Sequence, residues 1–273
     1  MRQADATLAE RDAAKTIVQT FYDEFGWVKD EGGKFNDTTA FMVSSHVADS
    51  YIDTCNARVG AELRRGKYLL DAASGAIPLA SYLPYSRDYD QRVCVDFSIR
   101  ALHEARAKLP NGRGVFVLGD ITCLPIRDGV IDDAISLHTL YHVPRDLQTQ
   151  AVDELVRTLK PKGKLVVVYT WGASPIMRII RRVVRPVAKP DGSQALPELY
   201  YSPQGKEWFA VLKSKYRASL KLFSSTDLEF NKAFLKDGFA GSLTKGLVLL
   251  TEALLGPFLA RYGQYPLFVI TKT

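Results

Sequence analysis

Cysteine is scarce in this chain: Cys55, Cys94 and Cys123 are three among 273 residues. Their wide separation excludes a disulfide framework and a paired-cysteine metal site. They read as reduced thiols of a cytoplasmic protein. The first residues, Met1-Arg2-Gln3-Ala4-Asp5, lead into no apolar run, so no secretory signal is expected. The most apolar stretch, residues 246–260, holds Glu252 and Pro257 and falls short of the ~20 residues that span a bilayer. There is no internal repeat and no low-complexity tract. Glycine is missing where a dinucleotide site would need it. The turn after the first strand keeps Gly75 alone, which argues against a pyrophosphate cradle. Charge of one sign is not dominant. A net +6 leans toward anionic partners, but no second basic stripe with interleaved aromatics suggests extended nucleic acid. With 47% hydrophobic residues the chain can bury an ordinary core, and its length suits one domain with additions.

What is present is an ordered set of acids. The run Tyr68–Asp71 is followed by Ala72, Ala73, Ser74 and Gly75. Arg92–Val95 leads to Asp96, 25 positions beyond Asp71. Val115–Leu118 leads to Gly119 and Asp120. Three successive strands thus each deliver a carboxylate at the C-terminal end. In an open parallel sheet ligands bind at that edge, near the switch point, and carboxylates there suit ribose hydroxyls, an amino group or a sulfonium. Asp133–Leu137 and Lys164–Thr170 read as strands 4 and 5, with helices over 98–109 and 146–159. Alternation with short connections predicts a doubly wound, mostly parallel α/β sheet.

This ladder resembles the class I S-adenosylmethionine-dependent methyltransferases of small-molecule type, over roughly residues 65–171. The resemblance implies a seven-stranded Rossmann-like methyltransferase fold with a helical cap, its last strand (267–271) antiparallel beside strand 5. It implies S-adenosylmethionine as cofactor. The turn Asp71, Ala72, Ala73, Ser74, Gly75 approaches the methionine part, Asp96 holds the ribose hydroxyls, Phe97 lies against adenine, and Asp120 with Ile121 takes its amino group. The family pattern G-x-G-x-G has Ala73 and Ile77 at its outer positions here. Tyr22 and Trp27 stand where aromatics close over the cofactor, with core packing as their alternative.

His138, Tyr141 and His142 follow strand 4, where the resemblance points the reactive methyl. Both histidines are candidate general bases, and His138 is also a cofactor contact. No Asn-Pro-Pro-Tyr is present, which argues against amino methylation of DNA. Asp132 and Asp133 begin strand 4, away from the ligand edge, and read as structural; no metal site is expected. Helices over 8–25 and 45–64, separated by a polar loop over 29–39, form a lid across 1–65. The core covers 66–171, a cap insertion 172–215, and residues 216–273 return to the core, with a capping box at Thr226 and Glu229 opening a helix and another helix over 243–261. Arg178, Arg181, Arg182 and Arg185 share one helix face: a solvated face, a site for an anionic acceptor, or a resting place on an anionic membrane. The expected activity is methyl transfer to a small-molecule acceptor, by the family's habits the hydroxyl of a sugar or secondary metabolite. The alternatives are a non-catalytic adenosyl-ligand-binding protein and a membrane-surface enzyme acting on a lipid-linked acceptor. Oligomeric state is left open.

Overall fold

The computed structural model describes residues 7–172, 174–183 and 196–273, with residues 180–183 as backbone only. Seven strands form one sheet: β1 Gly66–Ala72, β2 Tyr89–Asp96, β3 Gly114–Leu118, β4 Ile131–Leu137, β5 Leu159–Val168, β6 Arg217–Ser224 and β7 Tyr265–Thr271. Their order is β3-β2-β1-β4-β5-β7-β6. The first five run parallel, and β7 is antiparallel to both β5 and β6. The order reverses between β1 and β4, so the ligand edge lies at their C-terminal ends.

The period-2 alternation of strands splits the core into two layers. Leu70, Ala134, Leu165, Val167 and Phe268 face one side, with Val152 and Leu155 of α5 (Gln148–Thr158) and Leu212 of α7 (Glu207–Lys215). Leu69, Ile135, Val166 and Val269 face the other, with Tyr51, Cys55 and Val59 of α3 (His46–Gly60). Cys94 on that face meets Leu102 and Ala105 of α4 (Ile99–Lys108). Each fully buried leucine or valine contributes on the order of 1.5–3 kcal/mol. The register pairs Asp71 with Cys94 on β2, and Asp96 with Leu118 on β3, so all three acids emerge on one edge. At the opposite edge Asp133 is buried, accepting from Arg64, the Tyr89 hydroxyl and the Lys164 N–H. Asp132 accepts from Lys160 and the Tyr68 N–H.

The helices depart from the sequence expectations in several places. The first helix is α1, Leu8–Phe21, opened by a Thr7/Glu10 capping box. It continues as a π-helical turn, Tyr22–Gly26, of a kind that concentrates at functional sites. The expected polar loop contains a short helix, α2, Asn36–Phe41. The helix expected to open at Thr226 is α8, Leu228–Phe234, and its cap is Asp227, whose Oδ1 accepts from the Phe230 N–H at 2.8 Å. Helix α6 covers Pro175–Val183. Of the four-arginine face only Arg178 has a described side chain; those of Arg181 and Arg182, and all of Arg185, lie outside the described residues. The helix expected over 243–261 begins earlier. It is α9, Phe239–Tyr262, with a kink at Leu255 ahead of Pro257. At 24 residues it is long and apolar enough to cross a membrane by length and composition.

Candidate active site

A cavity of about 590 Å³ opens along the C-terminal edge of β1, β2 and β4, within the ~300–1,000 Å³ typical of small-molecule sites. Asp71, Ala73, Ser74, Gly75, Asp96, Phe97, Asp120 and Ile121 line one half. His138, Tyr141 and His142 line the cavity too, and the π-helical turn after α1 contributes Tyr22 and the following Trp27. Ala72 departs from the expectation. It alternates away from the edge and is fully buried in the core with Leu70 and Val95.

The backbone that forms the turn is left-handed at Ala73 (φ 54°), Gly75 (φ 54°) and Ile77 (φ 49°). The shape that two glycines would make easily is thus kept by an alanine and an isoleucine, at roughly 1–2 kcal/mol per residue. Gly75 is required twice over, because a Cβ there would lie 2.5 and 2.7 Å from the Trp27 ring. The π-helical turn brings this about by aiming Tyr22 and Trp27 to the same place, their rings stacked at 5.1 Å.

The three acids are held in different ways. Asp96 Oδ2 accepts from the Gly75 N–H at 2.9 Å and Oδ1 from the Ser98 N–H at 2.9 Å. Each oxygen keeps a further lone pair for a ligand hydroxyl. Burial pushes this carboxyl up to about 6, against those two hydrogen bonds. Asp120 accepts from Lys15 Nζ at 2.6 Å and from the Thr122 N–H and hydroxyl. Burial would raise it, but the Lys15 and Thr122 bonds outweigh burial and hold it below the usual carboxylate range. Asp71 is committed elsewhere. Arg92, itself buried, donates to its Oδ2 from Nε at 2.9 Å and Nη2 at 2.6 Å. The sequence carried a signal for this pair. A lone arginine opening the apolar run 92–95 lies one strand over from Leu69 and on the same face as Asp71.

His138 has a left-handed backbone (φ 58°) that turns its ring between Phe223 and Tyr265, at 5.2 and 5.3 Å. His142 is differently placed. Its Nδ1 lies 2.7 Å from the Tyr200 carbonyl, which can only accept, so Nδ1 carries the proton and Nε2 keeps its lone pair. Burial pushes both imidazoles down to about 4, so both are neutral at pH 7. Asp37 was missed in the sequence as part of a polar loop. It lines the cavity from α2, its charge adds to the burial that raises the Tyr22 and Tyr82 hydroxyls, and burial pushes its own carboxyl up to about 7. An acid flanked by loop residues gives no periodic signal that would have singled it out.

A family model described as a methyltransferase domain matches residues 70–167, the segment that holds all three acids and both histidines. Residues 70–167 form a methyltransferase domain on a Rossmann-like methyltransferase fold. Curated relatives of this domain include demethylmenaquinone methyltransferases of Chlamydia. That of Chlamydia caviae is 33% identical over 112 residues, 40% of this chain and 47% of that protein. That of Chlamydia muridarum is 32% identical over 107 residues, 38% of this chain and 44% of that protein. The chain therefore matches less than half the length of these curated relatives. Solved structures share the fold more widely. The magnesium protoporphyrin IX methyltransferase of Synechocystis PCC 6803, with bound S-adenosylhomocysteine, covers 95% of this chain and 100% of its own at 14% identity and TM-score 0.53. At such identity the likeness of this methyltransferase domain is one of fold.

Proposed function

We propose that this protein transfers the methyl group of S-adenosylmethionine to a small, largely apolar acceptor, at a hydroxyl oxygen. The observation that carries this reading is the continuity of the cavity. The cavity that holds the acids is also walled by Phe41, Val43, Ile52, Leu199, Phe223 and Tyr265, with Asp49, Asn56, Ser224 and Asn231 among them. A sugar needs directional hydrogen-bond partners around its ring. The larger aliphatic and aromatic share of the lining favours an apolar metabolite that carries a few polar groups, in keeping with the partial likeness to demethylmenaquinone methyltransferases.

The residues present fit the adenosyl group: Asp96 has free lone pairs for the ribose, and Asp120 can exchange Lys15 for an amino donor. When bound, S-adenosylmethionine supplies an electrophilic methyl on a sulfonium. Tyr22 and Trp27 cover that half and exclude water. The apolar walls hold the acceptor in line, and such positioning supplies much of the rate in displacement reactions. His142 Nε2, which keeps its lone pair, would take the proton of the acceptor hydroxyl. His138, packed between two rings, fixes the wall against which the acceptor lies.

Titration calorimetry with S-adenosylhomocysteine and with NADH tests the cofactor half. Binding of the first alone, lost in Asp96→Ala, is the expected result; unchanged affinity in the variant refutes the ribose assignment. One observation favours a second reading, a non-catalytic adenosyl-binding protein: the turn lacks two glycines, and Trp27 packs on the third. Tight binding of S-adenosylhomocysteine without turnover on any pool of apolar hydroxyl compounds would establish it.

A further inference from the structure

We propose that α9 lies in the plane of an anionic bilayer surface and docks the protein there through its outer face. The helix is inverted relative to an ordinary surface helix. Its outward stripe is Phe239, Leu243, Leu247, Leu250, Leu254 and Phe258, at spacings of three and four. All six are exposed, Phe239 at 84% and Leu254 at 72%. Its single acid, Glu252, points inward instead. It is 4% exposed and bonded to Arg58, the Tyr51 hydroxyl and the Ser225 N–H. Water cannot be what this outer face was built to meet, because so long an apolar stripe exceeds the scattered exposed leucines of ordinary surfaces.

The helix does not span. It follows α8 closely, and its end leads through Gly263 and Gln264 into β7 of the same sheet. Glu252 and its partners tie the middle of the helix to α3 and to the end of β6. A helix tied at its middle and C-terminal end to a folded domain, with an apolar stripe left facing outward, lies along a bilayer surface and not across it.

Charge identifies the surface it meets. The outer face carries no acid. Arg261 extends it at the C-terminal end, where exposed Lys206 lies 5.2 Å from the Tyr262 ring and α6 adds exposed Arg178 beside exposed Ile179. Ser174, just before α6, bonds the Tyr262 carbonyl at 2.8 Å and fixes α6 to this end. Lys236 is exposed at the start. Glu229 is paired with Lys232, and the exposed acids Asp237 and Glu207 are outnumbered by Arg178, Lys206, Lys236 and Arg261. Tyr262 suits the headgroup level, and Phe239 and Phe258 belong to the apolar stripe. An apolar stripe bordered by cations complements acyl chains beneath anionic headgroups. Helix α3, which supports α9, also lines the cavity through Ala48 and Ile52. If the function proposed above holds, docking therefore sets the acceptor half beside the bilayer; the docking itself does not depend on that function.

Flotation of the full chain with vesicles of phosphatidylcholine and phosphatidylglycerol tests this without cofactor or acceptor. The wild type should float with the mixed vesicles and less with phosphatidylcholine alone. Leu247→Glu/Leu254→Glu should lower the bound-to-free ratio by more than about tenfold, with an unchanged thermal melt because both side chains are outside the core. Leu247→Ser/Leu254→Ser serves if the acidic pair perturbs the melt. A wild type that stays at the bottom of the gradient overturns the proposal, as does a folded variant that floats equally well. So does a wild-type dimer, seen by sedimentation velocity, that the variant dissolves in the absence of any flotation; the stripe would then cover a second copy of the chain.

Discussion

Replacing Ala73 by glycine should stabilise this protein, against the usual direction of that change. An alanine-to-glycine substitution in regular structure ordinarily costs about 0.5–1 kcal/mol through the entropy of the unfolded chain. Ala73 holds φ at 54°, where a Cβ meets the following carbonyl at a cost of roughly 1–2 kcal/mol. The difference is a net gain of about 0.5–1 kcal/mol, or a rise in Tm of about 1–4 °C for a chain of this size. Ile77 offers no such test. It shares the left-handed backbone, but its side chain is 1% exposed and packs on Cys94 and Leu102, so a glycine there also loses core. Two controls sharpen the comparison. Ala101→Gly, at a fully buried position in α4, should cost about 1 kcal/mol or more. Gly75→Ala should cost about 1–3 kcal/mol, since it combines φ 54° with a Cβ pressed onto Trp27. Urea unfolding read by fluorescence and circular dichroism gives each value, with constant m showing that only stability has changed. The reasoning is refuted if Ala73→Gly destabilises as much as Ala101→Gly, for the turn would then carry no strain.

Three pH dependences follow from the site. In the proposed role Asp96 must be ionised to accept from two ribose hydroxyls, and its carboxyl is raised to about 6. Affinity for S-adenosylhomocysteine should therefore be constant above pH ~7 and fall by up to tenfold per unit below ~6. A flat profile down to pH 5 would remove Asp96 from the ribose. The sign for stability is opposite. A raised folded-state value means that protonation of Asp96 favours the fold, a contribution present below about 4 and lost as pH rises through 6. Turnover through His142 should be level from about pH 5.5 to 8 and decline toward 4, where the imidazole gains its proton. His142→Ala should cost about 10²–10⁴-fold in kcat. An inflection near 7 instead would transfer the role to Asp37.

The sheet was legible because its signals are local and repeat. Strands such as 164–170 are β-branched and apolar on both faces, which only a central strand tolerates, and the acids at 71, 96 and 120 mark three strand ends in one order. Even the antiparallel last strand followed from the family resemblance, and β7 pairs with β5 through Val166 and Val269. What was not legible depends on contacts distant in sequence. Ala72 and Ala73 look alike in the chain, yet the pleat sends one into the core and the other to the cavity. The tautomer of His142 is set by a carbonyl 58 positions away. Asp37 sits on a helix of six residues, too short to leave a periodic trace. Residues 243–261 read only as a helix, because a pattern apolar almost all round does not show which face is covered.

The sequence makes Asp71, Asp96 and Asp120 look equivalent, and the structure separates them by what neutralises each. Backbone N–H groups hold Asp96, and an exchangeable lysine holds Asp120. Asp71 faces a buried arginine whose side chain is 1% exposed, its own being 4% exposed. A buried pair costs desolvation on both sides, and removing one partner leaves the other uncompensated. Arg92→Met should therefore destabilise by about 3–5 kcal/mol, and the Tyr82 carbonyl, which accepts from Arg92 Nη1 at 2.7 Å, loses its donor as well. Asp71→Leu/Arg92→Met removes both charges and should recover most of that loss. The double variant then decides what Asp71 is for. If it melts near the wild type and still binds S-adenosylhomocysteine, the pair is a brace between β1 and β2 that shapes the turn from beneath. If it folds but no longer binds, the carboxylate reaches the ligand with the oxygen that Arg92 leaves free. A single Arg92→Met variant within about 1 kcal/mol of wild type would refute the premise that the pair is desolvated at all.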